Sequence, residues 1–285
     1  MKIKDIITEK SRPSLSFEVF PPNSSSKVES ITNAAMSIAS LKPSFMSVTY
    51  GAGRGSTEFT ESIASNIQKS GISALMHLTC VGAYEQNITE LLKRFKTEKI
   101  ENILALRGDI PDGSSPSDYS HASDLIRLIK SNGDFCVGGA CYPEGHPESA
   151  SLYDDLEYLR LKEDCGCDFL TSQMFFDNNI FYNFMYKLRD AGISLPVVAG
   201  IMPVTNPSQI NRICKLTGMC IPPKFRQIVD RYGKNPDAMK QAGIAYATEQ
   251  IIDLYANGVN AVHVYSMNKD DIAGKIVQNL SYIIG

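Results

Sequence analysis

The sequence has no apolar run near the roughly 20 residues that a membrane-spanning helix needs, and its 43% hydrophobic residues are broken by polar ones throughout. The first twenty residues, MKIKDIITEKSRPSLSFEVF, lack the uninterrupted apolar stretch of a secretion signal, because charges recur every few positions. Neither charge sign dominates: 28 basic against 31 acidic side chains leave a net charge of −3. A broad nucleic-acid surface, which needs clustered Lys and Arg, is therefore not expected. There is no charge block, low-complexity tract or long linker, so disorder, collagen and coiled coil are excluded for the chain as a whole. These absences point to a cytoplasmic globular protein with no membrane and no nucleic-acid partner.

The seven cysteines include no C-x-x-C pair. Most sit in apolar runs and read as reduced core thiols. Cys165 and Cys167 offer two sulfurs to a metal, but no third ligand lies near them in sequence, so no metal site is assigned. The chain also lacks a Walker A loop, a G-x-S-x-G elbow and an H-E-x-x-H helix, which removes the usual P-loop, serine-hydrolase and zincin readings. Gly51-Ala52-Gly53-Arg54-Gly55 follows a strand-like run, yet its third glycine comes one residue early for a dinucleotide fingerprint. The next strand ends in His77-Leu78-Thr79, not in an acid for a ribose. It reads as a flexible loop over a site.

What is present is a repeating alternation. Eight short apolar runs fall at 15–20, 45–50, 74–80, 102–108, 135–142, 168–175, 196–202 and 261–266. Amphipathic segments lie between them, such as 27–41 and 85–97, where Ile88, Leu91, Leu92 and Phe95 recur at helical spacing. Further helices are expected over 151–165, 178–191, 206–217 and 237–257, with an extra one near 222–232 after Pro222-Pro223. Strands this apolar belong in a parallel sheet covered on both faces. Eight of them in 285 residues fit an α/β fold of the (β/α)₈ TIM-barrel type, with 1–285 as a single catalytic domain and no regulatory domain.

Such barrels place their chemistry at the C-terminal ends of the strands. Glu18, Thr49-Tyr50, His77, Arg107-Gly108-Asp109, Tyr142 with His146, Gln173, and His263 with Tyr265 stand there. This ring of polar and aromatic groups points to an enzyme. Glu18 interrupts the apolar strand SFEVF and alternation sets it opposite Phe17 and Val19, toward either the barrel interior or the helix layer. A buried carboxylate must be paired, protonated or functional, and burial raises its pKa toward that of a general acid. Gln173 in a buried strand must find hydrogen-bond partners, from a bound polar heterocycle or from a neighbouring strand.

The strings SFEVFPP, SVTYGAG, HLTC, ALRGDIP, YPEGHPE, TSQMFFD, GIMPV and HVYSMN occur in that order between about residues 14 and 270. Together they resemble methylenetetrahydrofolate reductase of the bacterial type, with one motif after each strand. The resemblance implies a barrel holding FAD at its C-terminal face. It further implies hydride transfer from NADH or NADPH to 5,10-methylenetetrahydrofolate by ping-pong kinetics, as part of folate one-carbon metabolism and methionine biosynthesis. It makes Glu18 the general acid and Asp109 an acidic group beside pterin and flavin. The FAD contacts it implies are Tyr50, Ala52, His77, Arg107, Gly108, Asp109, Ala122, Tyr142, His146, Asp155 and Lys162. Thr49, Gln173, Gln209 and Lys269 match substrate-binding positions. It also implies a homo-oligomer and leaves room for an electron-donating partner subunit.

Four positions depart from the family pattern. Lys269 replaces Arg, Ile213 replaces an aromatic, Leu161 replaces a basic residue, and His121 stands where Tyr is expected. Two other readings stay open at this point: a flavin-free pterin-binding methyltransferase, and a barrel subunit of a larger redox complex.

Overall fold

The strands are rich in β-branched and aromatic residues and are buried on both faces, as closure of a parallel sheet inside a helical shell requires. A computed structural model describes residues 1–285 apart from 10, 23, 51–56, 82, 109–117, 218 and 220. Its strands are β1 (Ser14–Val19), β2 (Phe45–Val48), β3 (Ser73–Thr79), β4 (Asn102–Leu106), β5 (Cys136–Cys141), β6 (Phe169–Ser172), β7 (Val197–Ile201) and β8 (Ala261–Tyr265). All eight pair in parallel with their sequence neighbours, and β8 closes on β1. Every expected strand is present, most of them trimmed by a residue or more at their ends.

Helices α2 (Val28–Ala39), α3 (Thr57–Lys69), α4 (Glu85–Thr97), α5 (Ala122–Ser131), α6 (Leu152–Asp164) and α7 (Asn178–Asp190) follow the first six strands in turn. Three helices separate β7 from β8, namely α8 (Pro207–Thr217), α9 (Pro223–Tyr232) and α10 (Pro236–Ala256). The start signals are local. Ser151 accepts a bond from the Asp154 backbone, Asp177 from Asn179, and Asn235 from Asp237 and Ala238, each side chain satisfying an amide the first helical turn leaves open. Helix α11 (Asp270–Ile284) ends the chain. Its buried Ile272, Ile276 and Leu280 lie along one face.

One helix carries no sequence signal long enough to be read. Helix α1 (Ile3–Thr8) is six residues, below the length at which periodicity is legible. It plugs the bottom of the barrel, where Ile3 and Ile7 meet Phe45, Leu75, Leu104, Phe169 and Val198. The Ile3 amide donates to Asn102 Oδ1 at 2.8 Å. A larger core fills the space between strands and helices, and a third cluster around Phe176, Phe225, Met239 and Tyr246 lies beneath α8–α10. Cys80, Cys136, Cys141, Cys165 and Cys167 are buried free thiols. Among the described residues no helix is long and apolar enough to cross a membrane.

Candidate active site

Strand register decides which side chains share a level inside the barrel. Glu18 pairs with Ser47 on one side and Tyr265 on the other, while Ser16 pairs with His263. Because side chains alternate, Phe17 and Val19 enter the outer core. Glu18 thus points to the interior, which resolves the choice that alternation leaves open. Above the apolar plug the barrel therefore carries a polar layer: Ser16, Glu18, Ser47, His77 and His263, all buried.

This layer is the floor of a cavity of ≈ 550 Å³ at the C-terminal ends of the strands. Thr49, Tyr50, His77, Gly108, Tyr142, Gln173 and Gln209 line it together with Glu18, so eight of the residues expected at a site converge on one cleft. Leu104, Leu106, Met174, Met202 and Ile213 make much of the remaining wall apolar.

Glu18 is 6% exposed. Burial pushes its carboxyl up to about 8; the Ser47 hydroxyl, 3.5 Å away, pulls the other way only when its proton is turned toward the carboxylate. Burial also pushes the His77 imidazole down to about 3. The 3.5 Å approach of His77 Nε2 to Glu18 Oε2 is thus a contact between two neutral groups at neutral pH, not an ion pair. Among the described residues His77 Nε2 and Thr171 Oγ1 are buried without a hydrogen-bond partner. Orphaned polar atoms of this kind are uncommon in interiors, and both residues line the cleft. Gly108 has φ +87°, and a Cβ there would press on the Thr79 side chain at 3.0 Å. Tyr265 reaches across the barrel, its hydroxyl donating to Ser172 O at 2.6 Å.

A second group gathers around β5 and the start of α6. The Tyr142 and His146 rings meet edge to face at 4.5 Å. Arg107 forks onto Glu148 at 2.5 and 2.8 Å. Asp155 is buried beside Ser149 Oγ at 3.4 Å and the His146 backbone, and burial raises its pKa. Lys162 Nζ donates to Ala140 O at 2.7 Å, with burial lowering its pKa. Tyr142 lines the cleft, while Arg107, His146, Asp155 and Lys162 flank it without lining its wall. Ala122 opens α5 away from the wall, after His121, whose amide donates to Asp124 at 3.2 Å. Lys269 caps α11 and reaches Thr205 Oγ1 at 3.3 Å. Leu161 is 38% exposed on α6. Asp109 and Ala52 lie outside the described residues, as does the 51–56 loop.

The residues that the sequence does not assign to the site are Ser16, Ser47 and Thr171, while His263 and Tyr265 are legible there only as strand-end groups. The signal was available, since each is a polar side chain at an interior-facing position of an otherwise apolar strand.

Residues 2–281 match the family model described as methylenetetrahydrofolate reductase. The chain is 35% identical over 271 residues to the 5,10-methylenetetrahydrofolate reductase of Pectobacterium carotovorum, covering 94% of this chain and 90% of that protein. The Escherichia coli protein of the same name is also 35% identical, over 93% of this chain and 90% of its own. Methylenetetrahydrofolate reductase (NADH) 1 of Arabidopsis thaliana is 34% identical over 99% of this chain, which spans only 50% of that longer protein. A Clostridium thermocellum structure described as binding two copies of 5-methyl-5,6,7,8-tetrahydrofolic acid superposes with a TM-score of 0.70 over 99% of both chains. At 13% identity that likeness speaks for the fold alone. The family model spans the barrel from end to end and the enterobacterial proteins align over nine-tenths of both sequences, so this chain belongs to the methylenetetrahydrofolate reductase family.

Proposed function

We propose that the barrel reduces 5,10-methylenetetrahydrofolate to 5-methyltetrahydrofolate, with FAD passing a hydride from NADH or NADPH and both substrates using one flavin face in turn. The observation that carries this reading is Glu18: a carboxyl buried in a polar floor, protonated at neutral pH, and open to a cleft with largely apolar walls. Reduction of the methylene bridge requires the folate ring to open first, and that step needs a proton at a ring nitrogen. A carboxyl whose pKa lies near the working pH is suited to donate it and then recover it from solvent.

The cleft fits a flat polar heterocycle. Tyr50 and Tyr142 offer aromatic faces, while His77 Nε2 and Thr171 Oγ1 are polar atoms still needing partners. Glycine at 108 keeps the backbone free of a Cβ where the cleft wall turns. Bound there, FAD would supply the hydride relay. Arg107 and Lys162 would offer cations to its pyrophosphate, with the His146 ring as a further hydrogen-bonding group, and Asp155 would serve a ribose hydroxyl. Gln173 lines the same wall and would present its amide to the folate or to the nicotinamide, with Thr49 beside it. Gln209 spends its Oε1 on the Thr205 and Asn206 amides at 3.0 Å each, leaving the Nε2 amide to serve a folate. Lys269 faces the same loop through Thr205. Asp109 is proposed as the acidic neighbour of the pterin and flavin, and Ala52 and Ala122 as backbone contacts to FAD.

The test is an anaerobic absorbance titration of the FAD-supplemented protein. The flavin band is expected to bleach with NADH or NADPH and return when methylenetetrahydrofolate is added. A flavin that binds but ignores both nicotinamides would indicate an electron-donating partner subunit. Absence of flavin binding would overturn the reductase reading in favour of a flavin-free folate enzyme. Glu18→Gln is expected to leave the first half-reaction intact and to slow the second by at least about a hundredfold, the usual worth of a general acid.

A further inference from the structure

Beneath Glu18 three side chains run into the barrel, and the tautomer of the one histidine among them sets the direction of the chain. Ser16 Oγ lies 3.0 Å from Val262 O. A carbonyl only accepts, so this hydrogen bond, where it is made, takes the single Ser16 hydroxyl proton and leaves Ser16 an acceptor toward His263. Ser16 Oγ also lies 2.8 Å from His263 Nδ1, and having spent its proton it can only accept, so Nδ1 carries the ring hydrogen. Burial holds His263 neutral, its pKa pushed down to about 3. Nε2 is therefore bare, and Ser47 Oγ at 2.8 Å must donate to it. The one proton of Ser47 is then directed at His263, away from Glu18 Oε2, which stands farther off at 3.5 Å.

We propose that His263 is a positioning residue for Glu18: by holding the hydroxyl proton of Ser47 it withholds that proton from the carboxylate and so keeps the acid protonated. This deepens the reading of Glu18 as proton donor and rests on it. An ionised Glu18 would face the lone pairs of Ser47, whereas a protonated one can donate to them. Gaining Ser47 as a donor would cost the chain its bond to Nε2, leaving a buried acceptor empty.

No charged group on the surrounding elements overrides this arrangement among the described residues. From β3 the neighbour is His77, neutral by burial. From β8 it is Tyr265, whose phenol is held well above its ordinary pKa and whose hydroxyl is engaged with Ser172 O. From β2, besides Ser47, the Phe45 ring stacks on His263 with centroids 5.5 Å apart. Phe45 and Tyr265 therefore hold the imidazole plane, and the two serines fix its tautomer.

The test reads protons directly, in the FAD-loaded protein. Nitrogen-15 spectra should show one histidine as the neutral Nδ1–H tautomer down to pH 5, its signals absent in His263→Phe. The Glu18 carboxyl, followed by ¹³C resonance and assigned by its loss in Glu18→Gln, should titrate about one to two pH units lower in His263→Phe. That is the size of one charge-assisted hydrogen bond, since Ser47 is then released to the carboxylate. In Ser47→Ala, where no donor is released, the midpoint should stay or rise. Opposite responses of the two variants are the signature, because loss of packing alone would move both the same way. An Nε2–H tautomer, or a fall of the midpoint in both variants, would overturn the proposal. If His263→Phe does not fold, the wild-type tautomer decides alone. Both readings are made without turnover, so they stand apart from the Glu18→Gln half-reactions that test the acid itself.

Discussion

Replacing Glu18 by Gln should stabilise the protein at alkaline pH and leave it almost unchanged at acid pH. Burial raises the native carboxyl from 4.5 to about 8. A group raised in the folded state contributes fully below its unfolded pKa and loses that contribution as pH climbs through the folded one. The native state therefore gives up about 1.4 kcal/mol per pH unit between 4.5 and 8, accumulating to about 5 kcal/mol. His77 and His263 act oppositely. Their native values are pushed from 6.5 down to about 3, so their contribution is complete above 6.5 and is lost as pH falls. At pH ~5.5 unfolding takes up almost two histidine protons and releases one from Glu18, a net slope of about +1.4 kcal/mol per unit. Of these three groups only Glu18 still titrates above pH ~7, where their combined slope reverses, so their joint contribution peaks near pH ~6.5. Glutamine keeps the shape of the side chain without its charge. The variant should therefore plateau above pH ~7 and fall about twice as steeply below pH ~6. Urea unfolding at pH 5, 6.5 and 8 reads this directly. A difference between variant and wild type that stays constant over that range would refute the burial argument for Glu18.

Glu148→Gln removes the carboxylate that occupies the Arg107 fork. FAD binding, followed by quenching of flavin fluorescence, should tighten about two- to fivefold, the modest scale of an exposed ion pair. Weaker binding would instead make Glu148 the group that aims Arg107. Gly243 sits in α10 directly against the Val204 carbonyl, where a Cβ has no room. Gly243→Ala should cost about 3 kcal/mol through forced displacement of the β7–α8 connection, visible as a lower melting temperature. Gly108→Ala places a side chain on Thr79 at an unfavourable positive φ. It should cost about 1–3 kcal/mol and weaken flavin binding more than Glu18→Gln does.

The barrel was legible because each strand is a short apolar run closed by a polar residue, and because segments between them such as 85–97 carry apolar residues at helical spacing. Helix α1 was not legible. Six residues carry no period, and what places them is the open bottom of the barrel, a tertiary feature with no local trace. Glu18, His77, Tyr142 and Gln173, which the sequence sets at strand ends, line one cleft because strand ends and cleft coincide in this architecture. Lys162 and Asp155 were legible only through family resemblance. They sit on the buried side of α6, a helix whose sequence shows little amphipathic contrast, so periodicity could not say which face was inward.

The same alternation that builds the barrel also produces its chemistry. A TIM-barrel interior is ordinarily filled by layers of branched apolar side chains. Here the lowest layer follows that rule with Phe45, Leu75, Leu104, Phe169 and Val198. One level up, Ser16, Glu18, Ser47, His77 and His263 break it. Polar groups there cannot reach water, so each must be neutral and bonded inward, or aimed at a ligand. Ser16, Ser47 and His263 satisfy one another, which leaves His77 Nε2 and the Glu18 carboxyl as the unspent groups facing the cleft. The dry floor thus does two things at once. It makes a carboxyl neutral at neutral pH, and it leaves that carboxyl's proton to be shared among His77 Nε2, the lone pairs of Ser47 and what binds above it.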